Sequence, residues 1–535
     1  MKTDRREFVK LAGGLSLAQL AGMAGLASIP AAMPARVAMA AMAEGDESIM
    51  TPTALKYSPE GTVEDAYPTN LPGVIPREQV QELAKKEMAE WLGKQPKSKA
   101  MTDRARKSSP FGVLGNHQKD WNNMPQNIYV KRAYGNKMWD IDGHEYLDFC
   151  LGDTPDMYGH GDKNPAIRAA AAHLLENGIH TMAPNEDGVV CCELMAKKFG
   201  LPHWMANLSA SDSNRAVLAI ARQVTGRNII ACPNFTYHGN VDETQKFMPY
   251  KGVVSRFHAM NVYAYPEVGD RTRIFTYNDL DNMEEILKDG QVACVMMEPV
   301  MSNFGWAWPK DDYNKKVYAL CQKYGTKLAY DETHTLSAGP AGACGELGLH
   351  GHYDFWTCGK GIASGVPTGV FGMTEEIAHE LHRQTEEQGL FGEAAFGRLG
   401  TLLSGNTTSS RALRVTLEEV LTDEVYGAVG KHVDEIVAGM NASIEKYNAP
   451  FLVEKMGNRI AYTFIPEKCY DPVSASVGIG FGGMFEFSHA YAWNHGIMIM
   501  PYFNMLIVTP QHKVEDTARW LPVWDDIVRI LMGHQ

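Results

Sequence analysis

Short apolar runs separated by longer stretches of helical spacing fill the middle of the chain. Residues 228–232, 292–297, 327–331 and 355–358 have the length and composition of buried strands. Apolar positions recur at helix spacing over 165–176, 187–199, 213–224, 280–288 and 313–324. Strands alternating with helices predict an α/β fold, a mostly parallel sheet with helices on both faces. Upstream, residues 128–150 alternate across two turn signals, Gly135-Asn136 and Asp142-Gly143, which predicts a three-strand meander. Ahead of that, Val80, Leu83, Met88 and Trp91 lie near one stripe of an amphipathic helix over 77–91. Beyond Ser404 the pattern is mostly helical, with strands predicted at 459–464 and 504–508. The pattern divides the chain into a leader, helix and meander over 44–163, a large α/β domain over 164–410 and a smaller α+β domain over 411–535.

Candidate chemistry concentrates between Lys327 and Gly372. Asp331 ends one apolar run, and Lys360 follows another, between two glycines. Both would stand at the carboxyl edge of the sheet, where open α/β folds place ligands. A lysine desolvated there has a lowered pKa and can form a Schiff base with an aldehyde, although a surface lysine at a strand end gives the same local sequence. Asp331 could hold a pyridinium nitrogen protonated or bind a metal, and it also reads as a loop acid or helix cap. A third stretch, Asn207-Leu208-Ser209-Ala210-Ser211-Asp212-Ser213-Asn214, leads into a helix predicted to begin near Asn214. Small hydroxyl residues ahead of a helix expose N–H groups at its positive end, which suits a phosphate as well as an ordinary cap.

Charge and cysteine usage narrow the partners. A formal charge of -13 over 535 residues, with no dense Lys/Arg block past the N-terminus, argues against nucleic acid. Nine cysteines without C-x-x-C spacing signal neither a disulfide framework nor a zinc site, and no metal is expected. At the N-terminus Arg5-Arg6 is followed by Phe8-Val9-Lys10, a Gly/Ala-rich apolar region and two A-x-A sites ending at Ala40 and Ala43. This resembles a twin-arginine export signal over 1–43, which implies a periplasmic or otherwise exported protein with no stable membrane insertion after cleavage; the same segment also reads as an uncleaved N-terminal anchor helix. That route carries folded proteins, so a bound cofactor becomes an expectation.

As an ordered series, these residues resemble the class III pyridoxal-phosphate aminotransferases, of the fold type I shared with glutamate-1-semialdehyde aminomutase. The resemblance runs from about Pro110 to the C-terminus. It includes Trp139-Asp140-Ile141-Asp142-Gly143, Gly152-Asp153-Thr154 through Gly159-His160, Tyr237-His238-Gly239, Glu298-Pro299, Asp331-Glu332, Gly359-Lys360-Gly361, Gly400-Thr401 and Ser404-Gly405-Asn406. Residues 497–505 (IMIMPYFNM) are similar to the segment of family members that act on aryl or β-amino acids. The resemblance implies a transaminase using pyridoxal 5′-phosphate, with an amine or amino acid as donor and a keto acid as acceptor. By the same resemblance Lys360 forms the Schiff base and Asp331 pairs with the ring nitrogen. Ser209, Ala210 and Ser211 form the phosphate cup, Tyr237 stacks on the ring, and His238 and Glu298 lie nearby. Thr401 reaches the phosphate of a neighbouring subunit, which implies a homodimer.

The chain departs from that pattern at several places. The family's S-G-T-E-A is Ser209-Ala210-Ser211-Asp212-Ser213 here, the ring-facing valine is Thr333, and the proline after Asn406 is Thr407. Two alternatives follow: an aminomutase that moves an amino group within one molecule, or an exported cofactor-binding protein of low turnover. No arginine is placed as a carboxylate clamp, although Arg132 and Arg398 are available. Gly478 to Gly483 fits G-x-G-x-x-G but follows no strand pattern, and His379-Glu380-Leu381-His382 lacks zinc-protease spacing, so both read as ordinary loop and helix surface.

Overall fold

The computed structural model describes residues 73–118, 127–154, 157–245, 270–303, 305–389, 399–480 and 483–534. The twin-arginine segment and Arg398 lie outside the described residues. The predicted meander forms as β1 (Val130–Tyr134), β2 (Lys137–Asp140) and β3 (Glu145–Asp148), antiparallel throughout. Seven strands form the main sheet: β4 (His203–Asn207), β5 (Ile229–Pro233), β6 (Thr272–Phe275), β7 (Val292–Met297), β8 (Lys327–Asp331), β9 (Phe355–Cys358) and β10 (Gly369–Met373). Their order is β4-β10-β9-β8-β7-β5-β6. The strands β5 to β9 pair in parallel, whereas β10 runs antiparallel to both β4 and β9. The sheet is therefore mostly parallel, with one reversed strand that the apolar pattern did not single out.

Burial on both faces explains why the strands read as unbroken apolar runs. Every residue of Val292–Met297 is buried. Successive side chains take opposite faces: Val295, Met297, Leu328 and Tyr330 join one core, and Cys294, Met296 and Ala329 join the other. The Ala210–Thr225 helix packs Ala216, Val217, Ile220 and Ala221 into that second core. Fully burying an aliphatic side chain of this kind stabilises by about 1.5–3 kcal/mol, so the sheet edge is a rigid base for the residues that follow each strand.

The remaining strands make two smaller sheets. β11 (Leu452–Met456), β12 (Arg459–Thr463) and β14 (Met505–Ile507) form an antiparallel sheet, while β13 (Ile497–Met498) adds in parallel to β3. The Arg77–Gly93 helix contributes Val80 and Ala84 to a core shared with the Asp423–Tyr447 and Val514–Leu531 helices. None of the described helices is long and apolar enough to cross a membrane. Eight of the nine cysteines are buried and all nine are free thiols.

Candidate active site

Five strands deliver polar side chains at their carboxyl ends. Ser209 follows β4, Tyr237 and His238 follow β5, Glu298 follows β7, Asp331 ends β8 and Lys360 follows β9. The parallel pairing of β8 with β9 sets Asp331 opposite Thr357, three residues before Lys360. Sheet topology, rather than sequence distance, brings the acid and the lysine together.

Asp331 is held by four donors. His238 Nδ1 lies 2.9 Å and Asn214 Nδ2 2.8 Å from Oδ2, while the Thr333 N–H and hydroxyl meet Oδ1 at 3.0 and 2.5 Å. Burial raises the carboxyl, but these bonds, led by that from His238, outweigh it and hold Asp331 down at about 2. Thr236 Oγ1 fixes the far side of the His238 ring at 2.7 Å. Asn214 also donates to the His238 carbonyl at 3.1 Å and accepts from Thr357 at 2.6 Å. Asn214 is thus a buried brace inside a helix that begins at Ala210, four residues before its predicted start. Tyr237 is half-buried, and its phenol is raised by burial and then by the charge of Asp331.

Glycines let the backbone of the serine turn approach the sheet. Ser209 caps the helix, its hydroxyl accepting from the Asp212 N–H at 3.2 Å. The N–H groups of Ala210 and Ser211 fall in the first turn, where no intrahelical acceptor exists. A Cβ on Gly369 would stand 2.1 Å from the Ser209 carbonyl oxygen, one on Gly359 would stand 2.9 Å from the Ala210 nitrogen, and one on Gly239 would overlap Ser211 Oγ. These three contacts fasten the cup to β10, to the residue before Lys360 and to the loop after Tyr237. Positive-end N–H groups, an acid kept ionised and a lysine on one sheet edge fit pyridoxal phosphate.

Lys360 takes a left-handed backbone, φ 47°, and its neighbours Leu151 and Asp153 do the same at 51° and 56°. Non-glycine residues in that region cost about 1–3 kcal/mol each, and such strain clusters at functional sites. The Lys360 ammonium lies 2.5 Å from Asp153 Oδ2 and in a short contact with His334 Nε2. Asp153 Oδ1 accepts from Arg459 Nη2 at 2.7 Å. Burial raises the Asp153 carboxyl, and the charges of Arg459 and Lys360 override that and hold it well below the usual range. His334 Nδ1 meets Ser302 Oγ at 2.8 Å, and Ser302 Oγ donates to Glu298 Oε2 in a short bond. Burial pushes Glu298 up to about 7 and, with the Lys360 charge, lowers His334 to about 4.

The structure therefore brings Ser209, Ala210, Ser211, Tyr237, His238, Glu298, Asp331, Thr333 and Lys360 to one edge. Thr401 stands apart: it is exposed, with its N–H donating to Ser404 Oγ at 2.9 Å. Arg132 stacks on Tyr134 and Trp139 in the meander, and the arginine beside Lys360 is instead Arg459. Sequence reasoning did not single out His334, Ser302 or Arg459, and quoted Asp153 only within a motif. Glu332, adjoining Asp331, is structural: its carboxylate accepts from the Ala343 and Cys344 N–H groups and Trp356 Nε1. His379 and His382 are exposed on a helix, and Pro472–Gly478 is helical.

Comparison with known proteins agrees with this geometry. The family model Aminotransferase class-III matches residues 118–519. A glutamate-1-semialdehyde 2,1-aminomutase of Francisella philomiragia subsp. philomiragia is 27% identical over 404 residues, covering 73% of this chain and 88% of that protein. The crystal structure of a glutamate-1-semialdehyde-aminomutase from Pseudomonas aeruginosa PAO1 superposes with a TM-score of 0.77 at 30% identity, covering 85% of this chain and 99% of that one. A β-phenylalanine aminotransferase from Variovorax paradoxus shares the fold, with a TM-score of 0.71 at 19% identity over 84% of this chain and 97% of its own. The chain belongs to the class-III aminotransferase family and is a pyridoxal 5′-phosphate-dependent aminotransferase of fold type I.

Proposed function

We propose that this enzyme moves an amino group from an amine or amino acid to a keto acid, with Lys360 as the residue that binds the cofactor covalently. The observation that carries the reading is the Lys360 ammonium on the same sheet edge as the Asp331–His238 pair, next to a serine cup built from backbone N–H groups. When bound, the cofactor supplies an aldehyde carbon for the amine and an electron-withdrawing ring. Asp331, ionised and held by four donors, would keep the ring nitrogen protonated. Lys360 would carry the proton between substrate carbon and cofactor. Ser209, Ala210 and Ser211 would hold the phosphate, and Tyr237 would cover the ring. Lys360→Ala should abolish turnover and the visible absorbance band of a cofactor held as a Schiff base; a variant that kept both would refute the assignment.

A second reading is an aminomutase, and the names of the relatives favour it. Product analysis with and without an added keto acid separates the two, because an aminomutase needs no acceptor. Two further features belong to the proposal. Export through the twin-arginine route rests on Arg5-Arg6 and the A-x-A sites, and cell fractionation tests it. A homodimer is supported by exposed apolar side chains around Thr401. Leu402 and Leu403 are 63% and 49% exposed, and Met182 and Leu175 84% and 87%. The segment carrying Met182 is tied to the helix start after Asn406 by the His180 N–H donating to Thr407 Oγ1 at 3.1 Å. Such a patch suits a second copy of the chain. Light scattering that showed a cofactor-loaded monomer would refute the shared site.

A further inference from the structure

Four proton-bearing groups stand in line from Lys360 into the protein interior. Lys360 Nζ meets His334 Nε2, His334 Nδ1 meets Ser302 Oγ at 2.8 Å, and Ser302 Oγ meets Glu298 Oε2. The other oxygen of Glu298 is occupied by Asn303 Nδ2 at 2.8 Å and the Ser302 N–H at 3.4 Å. Along this line each internal member gives one hydrogen and receives one, so the four groups run in one of two directions. When Lys360 is an ammonium it donates to Nε2; Nδ1–H then donates to Ser302, and the Ser302 hydroxyl donates to an ionised Glu298. When Glu298 is protonated it donates to Ser302, Ser302 donates to Nδ1, and Nε2–H donates to the lone pair of a neutral Lys360. With a proton at both ends, two donors collide within the chain unless His334 Nε2–H turns to Asp153 Oδ2, 3.3 Å away.

We propose that Lys360 and Glu298 share one proton through His334 and Ser302, so that the end holding it sets whether Lys360 is an ammonium or a nucleophilic amine. The inference rests on Lys360 as the cofactor lysine only for its functional meaning. The transfer balances as a relay. The Lys360 N–H bond breaks as His334 Nε2–H forms, Nδ1–H breaks as a new Ser302 O–H forms, and the old Ser302 O–H breaks as Glu298 Oε2–H forms. One ammonium and one carboxylate become an amine and an acid, and no electrons change hands.

The surrounding charges permit this exchange. Asp153 faces both Lys360 and His334, but Arg459 pairs with its other oxygen, so it keeps a partner when Lys360 loses its charge. His117 feels the Lys360 charge from the Asn116–Gln118 turn. At the far end His238 and Asp331 act on Glu298 with opposite signs. His334 is kept neutral at physiological pH by burial, as a single-proton relay requires.

The test reads Lys360 directly, in the full chain freed of cofactor. Trinitrobenzenesulfonate labels only the neutral amine, and peptide mass spectrometry gives the rate at Lys360 against pH. In the unaltered protein the rate is expected to level off above about pH 7, because the proton lost by one end is held by the other. A rate rising tenfold per pH unit from pH 6 to the ordinary lysine range would overturn the proposal. Glu298→Gln mimics the protonated acid: Asn303 and the Ser302 N–H claim its carbonyl, leaving the amide to donate toward Ser302. It is expected to raise the rate at pH 8 about tenfold, the factor by which ionised outnumbers protonated acid one unit above about 7, and to remove the plateau. Ser302→Ala cuts the chain, so Glu298→Gln in that background should leave the rate within about twofold of Ser302→Ala alone. An equal gain in both backgrounds would mean that charge acts through space, and no gain in either would mean no coupling; each overturns the proposal. Pyridoxal phosphate added first should block the label, and labelling that ignored it would refute the cofactor role of Lys360 while leaving the relay standing.

Discussion

Replacing a buried acid by its amide usually costs stability, and Glu298→Gln is expected to do the reverse above neutral pH. Glu298 is 3% exposed, and burial raises its carboxyl from 4.5 to about 7 despite bonds from Ser302 and Asn303. A carboxyl raised on folding makes the folded state bind more protons than the unfolded chain between those two values. The penalty is absent below pH 4.5, grows as pH rises, and is complete above about 7. Its full size is ~3 kcal/mol by linkage at 1.36 kcal/mol per pKa unit. Glutamine carries no such penalty and keeps the same oxygen for Asn303. Urea denaturation of the cofactor-free protein, at one protein concentration, should show Glu298→Gln more stable by ~3 kcal/mol at pH 8 and within about 0.5 kcal/mol of the parent at pH 4.5. A gain equal at both pH values would show that packing, not ionisation, sets the difference. A loss at pH 8 would refute a raised carboxyl at this position.

Two further outcomes test the frame around the site. Gly369→Ala forces a Cβ to within 2.1 Å of the Ser209 carbonyl oxygen, so the cup must shift from β10; cofactor affinity measured by fluorescence quenching should fall at least about tenfold, a loss of ~1.4 kcal/mol. Arg459→Met leaves Asp153 buried beside Lys360 without its second cation. Breaking one partner of a buried pair costs about 3–5 kcal/mol, and Asp153→Asn in the same chain should recover part of it; a double variant no more stable than Arg459→Met alone would refute that pairing.

The strands legible in the sequence were those buried on both faces. Val292–Met297 is an unbroken apolar run and Phe355–Cys358 is broken only by Thr357, which donates to Asn214; both coincide with their predicted ranges because both faces are buried. The strands β4, β6 and β10 were missed for local reasons. His203 and Asn207 interrupt the first, Arg273 the second, and two glycines thin the third, each needed for close approach to a neighbour. The start of the cup helix was read late because Ala210-Ser211-Asp212-Ser213 has weak helix propensity, whereas the Ser209 cap and buried Ser213 and Asn214 carry the helix back to Ala210. Motif order placed Lys360 and Asp331 at the sheet edge. His334, Ser302 and Arg459 had no periodicity to mark them, since their positions depend on loops meeting in space.

The two ends of the site differ in how firmly their charge is fixed. At Asp331 four donors converge on a carboxylate held at about 2, so no change between pH 5 and 9 alters its charge. The Lys360 end has the opposite construction. Its counter-ion Asp153 is neutralised by Arg459, its neighbour His334 is uncharged, and the chain behind it ends on an acid poised at about 7. A pH dependence of turnover near neutrality is therefore expected at Glu298 rather than at the ring-nitrogen partner. Glu298→Gln should remove the limb of the kcat/KM profile near pH 7, while Asp331→Asn should lower activity at every pH without moving that limb. A limb that shifted with Asp331→Asn and not with Glu298→Gln would reverse the assignment.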